Sequence, residues 1–222
     1  MRGTMQMATE HSSTARRGLM AAGAIGAALF IVGLWQDVFG LRLITKPIPI
    51  VCMMIGLRLT ARDRYATRIL IGLVFSLIGD LLLEASPDLF VPGLLAFLLA
   101  QVWYIAAFLG ATRALKLWRL LPFAGWGIIV YAILLPNLGG MALPVGAYVI
   151  VICVMMWRAS ALEGGGAAAR AALIGAVLFA LSDTLIALNK FGAPIEGAHY
   201  WIIILYWLGQ LGITLSARRA VR

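Results

Sequence analysis

Phe75-Ser76-Leu77-Ile78-Gly79-Asp80-Leu81-Leu82-Leu83-Glu84 sets a carboxylate inside an apolar run that otherwise reads as a membrane span. A second run repeats the feature at Phe179-Ala180-Leu181-Ser182-Asp183-Thr184-Leu185. Ionisable groups at membrane depth are expensive and rare, so Asp80 and Asp183 are each candidate functional residues. Their similar settings, each with a serine and a small residue close by, predict one shared polar site.

The rest of the chain supports the membrane reading. Of its 222 residues 63% are hydrophobic and only 12% charged, and the mean hydropathy is +0.97. A soluble domain carries roughly a quarter charged residues. A net charge of +9 does not point to nucleic acid, because most of the excess falls in short loops between spans, where it sets orientation. Cys52 and Cys153 both lie in apolar runs and have no metal or redox spacing, so they read as core thiols.

Apolar runs recur at roughly 19–36, 42–58, 67–84, 91–112, 118–136, 142–158, 168–189 and 199–217. Crossing a bilayer takes about 20 residues of helix, and lipid cannot satisfy an open strand edge. The expected fold is all-α, a polytopic bundle of eight transmembrane helices. Residues 1–17 read as a disordered cytoplasmic tail, 18–217 as the membrane domain, and 218–222 as a basic cytoplasmic tail. The stretch from Glu163 through Gly166 to Ala169 reads as a flexible linker. Fifteen of the 18 basic residues fall in the two tails and in alternate loops, the exceptions being Arg42, Lys46 and Lys190. By the positive-inside rule both termini are cytoplasmic.

That topology brings polar residues to one depth. Asp80, Asp183 and Lys46 all fall in the outer half of the bilayer. Ser76, Asp80 and Glu84 share a face of the third helix. Asp183 and Lys190 share a face of the seventh, with Ser182 and Asn189 on the adjacent one. Gln101 and Tyr104 stand three apart on the fourth. Tyr206 and Gln210 stand four apart on the eighth, in line with His199. A polar pocket open toward the outer face accounts for all of them.

These residues resemble the YhhN/TMEM86 family of membrane lysoplasmalogenases. The resemblance runs through Thr45-Lys46-Pro47, the 75–83 stretch, Phe97-Leu98-Leu99-Ala100-Gln101-Val102-Trp103-Tyr104, the segment 179–191 and Tyr206-Trp207-Leu208-Gly209-Gln210. Gln101 stands where the family is expected to carry histidine. The resemblance implies a hydrolase that cleaves the vinyl-ether bond of lysoplasmalogens, with lysoplasmenyl-ethanolamine or -choline giving a fatty aldehyde and a glycerophospho-alcohol. Vinyl-ether hydrolysis needs a carboxyl group that gives a proton to carbon and a second group that manages water. Asp80 and Asp183 fit those two roles in either order. Lys46, Ser76, Glu84, Gln101, Tyr104, Ser182, Asn189, Lys190, Tyr206 and Gln210 are candidates for binding substrate or supporting the pair. No cofactor or metal is expected: with two histidines in the chain, a three-histidine zinc site is excluded. The expected partners are a lysophospholipid and the bilayer, and the expected location is the bacterial inner membrane, with the site toward its outer half. A proton-coupled carrier and a lipid-binding protein are the rival readings, since buried Asp, Lys and Asn also line ion pathways.

Overall fold

The computed structural model describes residues 2–162 and 166–217, with side chains from Thr14 onward. Every regular element among them is helical. Nine α-helices run α1 (Arg2–Trp35), α2 (Phe39–Thr45), α3 (Ile48–Thr60), α4 (Arg64–Ala85), α5 (Phe90–Ala111), α6 (Leu120–Leu138), α7 (Ala142–Ser160), α8 (Ala167–Phe191) and α9 (Ala198–Ser216). Among the described residues seven stretches are long and apolar enough to cross a membrane. One of them, Leu117–Ser160, is 44 residues long and holds both α6 and α7, separated by a 3-10 turn at Gly139–Met141.

Two boundaries differ from those read off hydropathy. The run at 42–58 is broken into α2 and α3 at Lys46-Pro47, because a proline has no N–H to give to the preceding turn. The helix of α1 begins at Arg2, inside the segment assigned to a disordered tail. Glu163, Gly164 and Gly165 of the expected linker, and the expected tail 218–222, lie outside the described residues.

The outer surface is apolar. Leu121, Ile128, Leu143 and Trp201 are each more than 60% exposed, as suits side chains facing lipid tails rather than water. The buried side chains include the polar Ser76, Asp80, Gln101, Ser182 and Gln210. Polarity is thus turned inward, toward the bundle axis.

Two helix pairs build the centre. α4 packs on α5, and α8 packs on α9. The second pair is in backbone contact: a Cβ on Gly209 would stand 2.7 Å from the Phe179 nitrogen and 3.0 Å from the Gly175 carbonyl. Close approach through small residues is how membrane helices associate when water supplies no drive. Gly209→Val is therefore expected to cost about 1–3 kcal/mol through overpacking, read as a lower thermal midpoint in detergent. Gly125→Val, where nothing lies within 4 Å of the new Cβ, is expected to leave the midpoint unchanged.

Candidate active site

The face of α4 that carries Ser76, Asp80 and Glu84 supplies three tiers, each about 6 Å above the last at 1.5 Å per residue. In the lowest tier Ser76, Tyr104 and Gln210 close a triangle. The Tyr104 hydroxyl donates to Gln210 Oε1 at 2.7 Å, Gln210 Nε2 donates to Ser76 Oγ at 2.8 Å, and the two hydroxyls lie 3.3 Å apart. All three residues are fully buried. A satisfied buried network of this kind fixes α4, α5 and α9 relative to one another.

Asp80 occupies the middle tier. It is 3% exposed, and its Oδ2 has no hydrogen-bond partner among the described residues. The Tyr206 hydroxyl lies beside it, similarly without a bond of normal geometry. An aromatic layer packs beside it. Gly79, whose Cβ would meet the Phe97 ring at 2.7 Å, lets that ring lie flush on α4. Phe97, Phe179 and Tyr206 then pack edge to face and tilted at 5.7–6.0 Å between centroids. A buried carboxyl with one oxygen short of a bond of normal geometry is costly for stability.

Glu84 forms the upper tier and is the partner of Lys46. Lys46 Nζ donates to Glu84 Oε2 at 3.1 Å, and Arg42 Nε donates to Oε1 at 2.8 Å. Arg42 also holds the exposed Asp37 at 2.5 Å. Lys46 thus makes its ion pair with Glu84 rather than with either aspartate. Its position at the α2–α3 break turns the side chain onto α4. Removing Glu84 strands two cations, whereas removing Lys46 leaves Glu84 with Arg42. Glu84→Gln is expected to lower stability by about 1–3 kcal/mol, and Lys46→Met by less. Thermal midpoints of the two variants, measured side by side, check the order.

Asp183 comes from the other side of the centre. The Tyr148 hydroxyl of α7 donates to its Oδ2 at 2.5 Å, and Gln101 Nε2 approaches the same oxygen at 3.4 Å. Gln101 is fully buried, so the amide that replaces the expected histidine still reaches a carboxylate. Unlike Asp80, Asp183 is only half-buried, because one side faces a cavity.

That cavity holds about 50 Å³ between α4, α5, α6, α7 and α8 and is partly open on one side. Its walls are apolar, with Phe97, Trp126, Val130, Leu134 and Ile152 among them. Its polar contributions come from Asp183, Thr184 and Tyr148. An apolar slot with a hydrogen-bonded carboxyl on its wall has the chemistry of a small-molecule site.

Ser182, Asn189 and Lys190 make their own contacts apart from the two aspartates. Ser182 donates to the Ile202 carbonyl at 2.9 Å and ties α8 to α9. Asn189 Oδ1 accepts from the Ile195 nitrogen at 2.8 Å and shapes the α8–α9 loop. Lys190 is exposed and rests on the Phe90 ring, 4.6 Å from its centroid. Tyr148 and Arg42 are the functional neighbours that the sequence reading misses. A single tyrosine in the apolar run Val145–Cys153 carries no periodic signal, and Arg42 reads as an ordinary loop charge.

Comparison with known proteins places these features in context. The profile of the YhhN family matches residues 41–217. Lysoplasmalogenase TMEM86A of Bos taurus is 40% identical over 184 residues, covering 78% of this chain and 76% of the relative. The TMEM86A lysoplasmalogenase of Homo sapiens is 39% identical over the same length, with the same coverage. Lysoplasmalogenase TMEM86B of Homo sapiens is 36% identical over 178 residues, covering 80% of this chain and 75% of the relative. No solved structure matches the chain.

Proposed function

The chain belongs to the YhhN family, and we propose that it is a membrane-embedded lysoplasmalogenase that hydrolyses the vinyl-ether bond by carboxyl acid–base catalysis. The observation that carries this reading is Asp183, a carboxyl hydrogen-bonded by Tyr148 on the wall of an otherwise apolar cavity. The relatives named lysoplasmalogenase supply the substrate class.

In this reading the alkenyl chain lies along the open, apolar side of the cavity and its vinyl-ether carbons lie against Asp183. Tyr148 occupies Oδ2, so the proton leaves from the other carboxyl oxygen. It goes to the vinyl carbon remote from the ether oxygen, and the double-bond electrons form the new C–H bond. The product is an oxocarbenium ion beside a carboxylate, whose charge is held by the donors already in place from Tyr148 and Gln101. Water adds to the cationic carbon and gives up a proton to the carboxylate pair of Asp183 and Asp80. The hemiacetal then collapses, its hydroxyl proton passing to the departing glycerol oxygen. One water is consumed, and a fatty aldehyde and a glycerophospho-alcohol leave.

Residues 18–217 form one membrane domain in this reading. α6 and α7 each cross, giving eight crossings, with α2 and α3 together making one. Both termini are cytoplasmic, because the basic loops alternate with acidic ones. The site then opens to the outer half of the bilayer, where the headgroup of a single-chain lipid lies.

The test is direct. Purified protein given lysoplasmenyl-ethanolamine is expected to release fatty aldehyde and glycerophosphoethanolamine, and to leave the saturated-ether analogue intact. A folded preparation that releases no aldehyde from either headgroup class, across pH, contradicts the proposal.

A further inference from the structure

We propose that Lys190 binds the substrate phosphate, and that α8 sets the distance between that phosphate and the reacting carbon. The inference rests on the reading of the cavity as a lysophospholipid site.

Three observations support it. First, Lys190 stands at the rim of the cavity. Its ammonium sits on Phe90, Phe90 packs edge to face on Phe191 at 5.8 Å, and both rings line the cavity. Second, it is the cation near the site that is free to take an anion. Lys46 and Arg42 are joined to Glu84, whereas Lys190 is exposed and makes no ion pair among the described residues. A cation–π contact orients the ammonium without neutralising it.

Third, the lengths agree. Asp183 and Lys190 lie seven residues apart on one helix. That is about 10 Å along the axis, and seven steps of 100° return the side chains to within about 20° of each other. In a lysoplasmalogen, six bonds run from the vinyl-ether carbon through glycerol to phosphorus, about 7 Å when extended. The flexible lysine stem spans the difference and keeps its charged end at the headgroup level. A chain seated in the cavity with its ether at Asp183 therefore delivers its phosphate to Lys190. The ethanolamine or choline group lies beyond the phosphate and outside the cavity.

Binding to the full-length protein, with two probes that contain no vinyl ether, tests this. One is a single-chain alkyl-ether phosphocholine; the other is the matching 1-alkylglycerol, which has the same chain and no phosphate. Lys190→Gln is expected to weaken the phosphocholine probe about tenfold, as for a lost charge-assisted contact, and to leave the alkylglycerol unchanged. Lys190→Arg is expected to keep wild-type binding of both. Undiminished binding of the phosphocholine probe to Lys190→Gln overturns the proposal. Equal loss of both probes also overturns it, because Lys190 would then be shaping the cavity instead of reading phosphate. Neither probe can be hydrolysed at a vinyl ether, so the absence of aldehyde release from lysoplasmalogens would defeat the hydrolase reading and leave this result standing.

Discussion

Asp183→Asn is expected to lower turnover of a lysoplasmalogen by about 10²–10⁴-fold, the range for loss of a general acid. Asparagine keeps the shape of the side chain, and its amide oxygen can still accept from Tyr148. It has no proton to give to carbon. The variant should remain folded, with substrate affinity close to wild type, because the apolar walls that hold the chain are untouched. The loss should appear in kcat and not in KM. A folded Asp183→Asn protein with near-normal kcat would remove the carboxyl from the reaction.

Asp80→Asn is expected to lose at least about 10²-fold in turnover while unfolding at the same temperature as wild type or a higher one. Asp80 is buried with one oxygen unpartnered among the described residues. Removing a charge from that setting relieves a cost that the fold otherwise carries, and a gain in stability with a loss of function is the signature of a group kept for its chemistry. Turnover and thermal midpoint measured on one preparation check both halves. Normal turnover would leave Asp80 as a structural residue of the α4–α9 interface.

Much of this arrangement is legible in the sequence, for reasons that can be named. Hydropathy marks the spans because lipid imposes one solution on the backbone. Asp80 and Asp183 stand out because nothing in the surrounding run explains a carboxylate. Ser76, Tyr104 and Gln210 are found through their helical spacing, since three faces that turn toward one axis must meet. What is lost is everything that depends on the relative rotation of helices. Lys46 and Glu84 are both visible as charges, yet their pairing follows from the break at Pro47. Tyr148 is invisible because only the packing of α7 against α8 brings its hydroxyl to Asp183. Ser182 and Asn189 lie on the right helix but find backbone partners nearer than the site. Hydropathy also misplaces the ends of elements, as at α1 and the α2–α3 break, because it reports burial in lipid and not hydrogen bonding.

Gln101 illustrates the division. The sequence resemblance treats it as a departure, an amide where a histidine is expected. In the structure its Nε2 points to Asp183 Oδ2, beside Tyr148. Both donors converge on one oxygen; in the proposed mechanism the other oxygen carries the proton, with no imidazole beside it.

The central claim is that a carboxyl of this site protonates carbon, and hydrolysis in D₂O tests it most directly. The aldehyde is trapped at once by reduction to the alcohol, before enolisation exchanges its α-hydrogens, and the label is located by mass spectrometry. One deuterium is expected on the carbon next to the former aldehyde carbon in every turnover. Aldehyde formed without deuterium at that carbon would mean that the bond breaks by another route, and would contradict the mechanism.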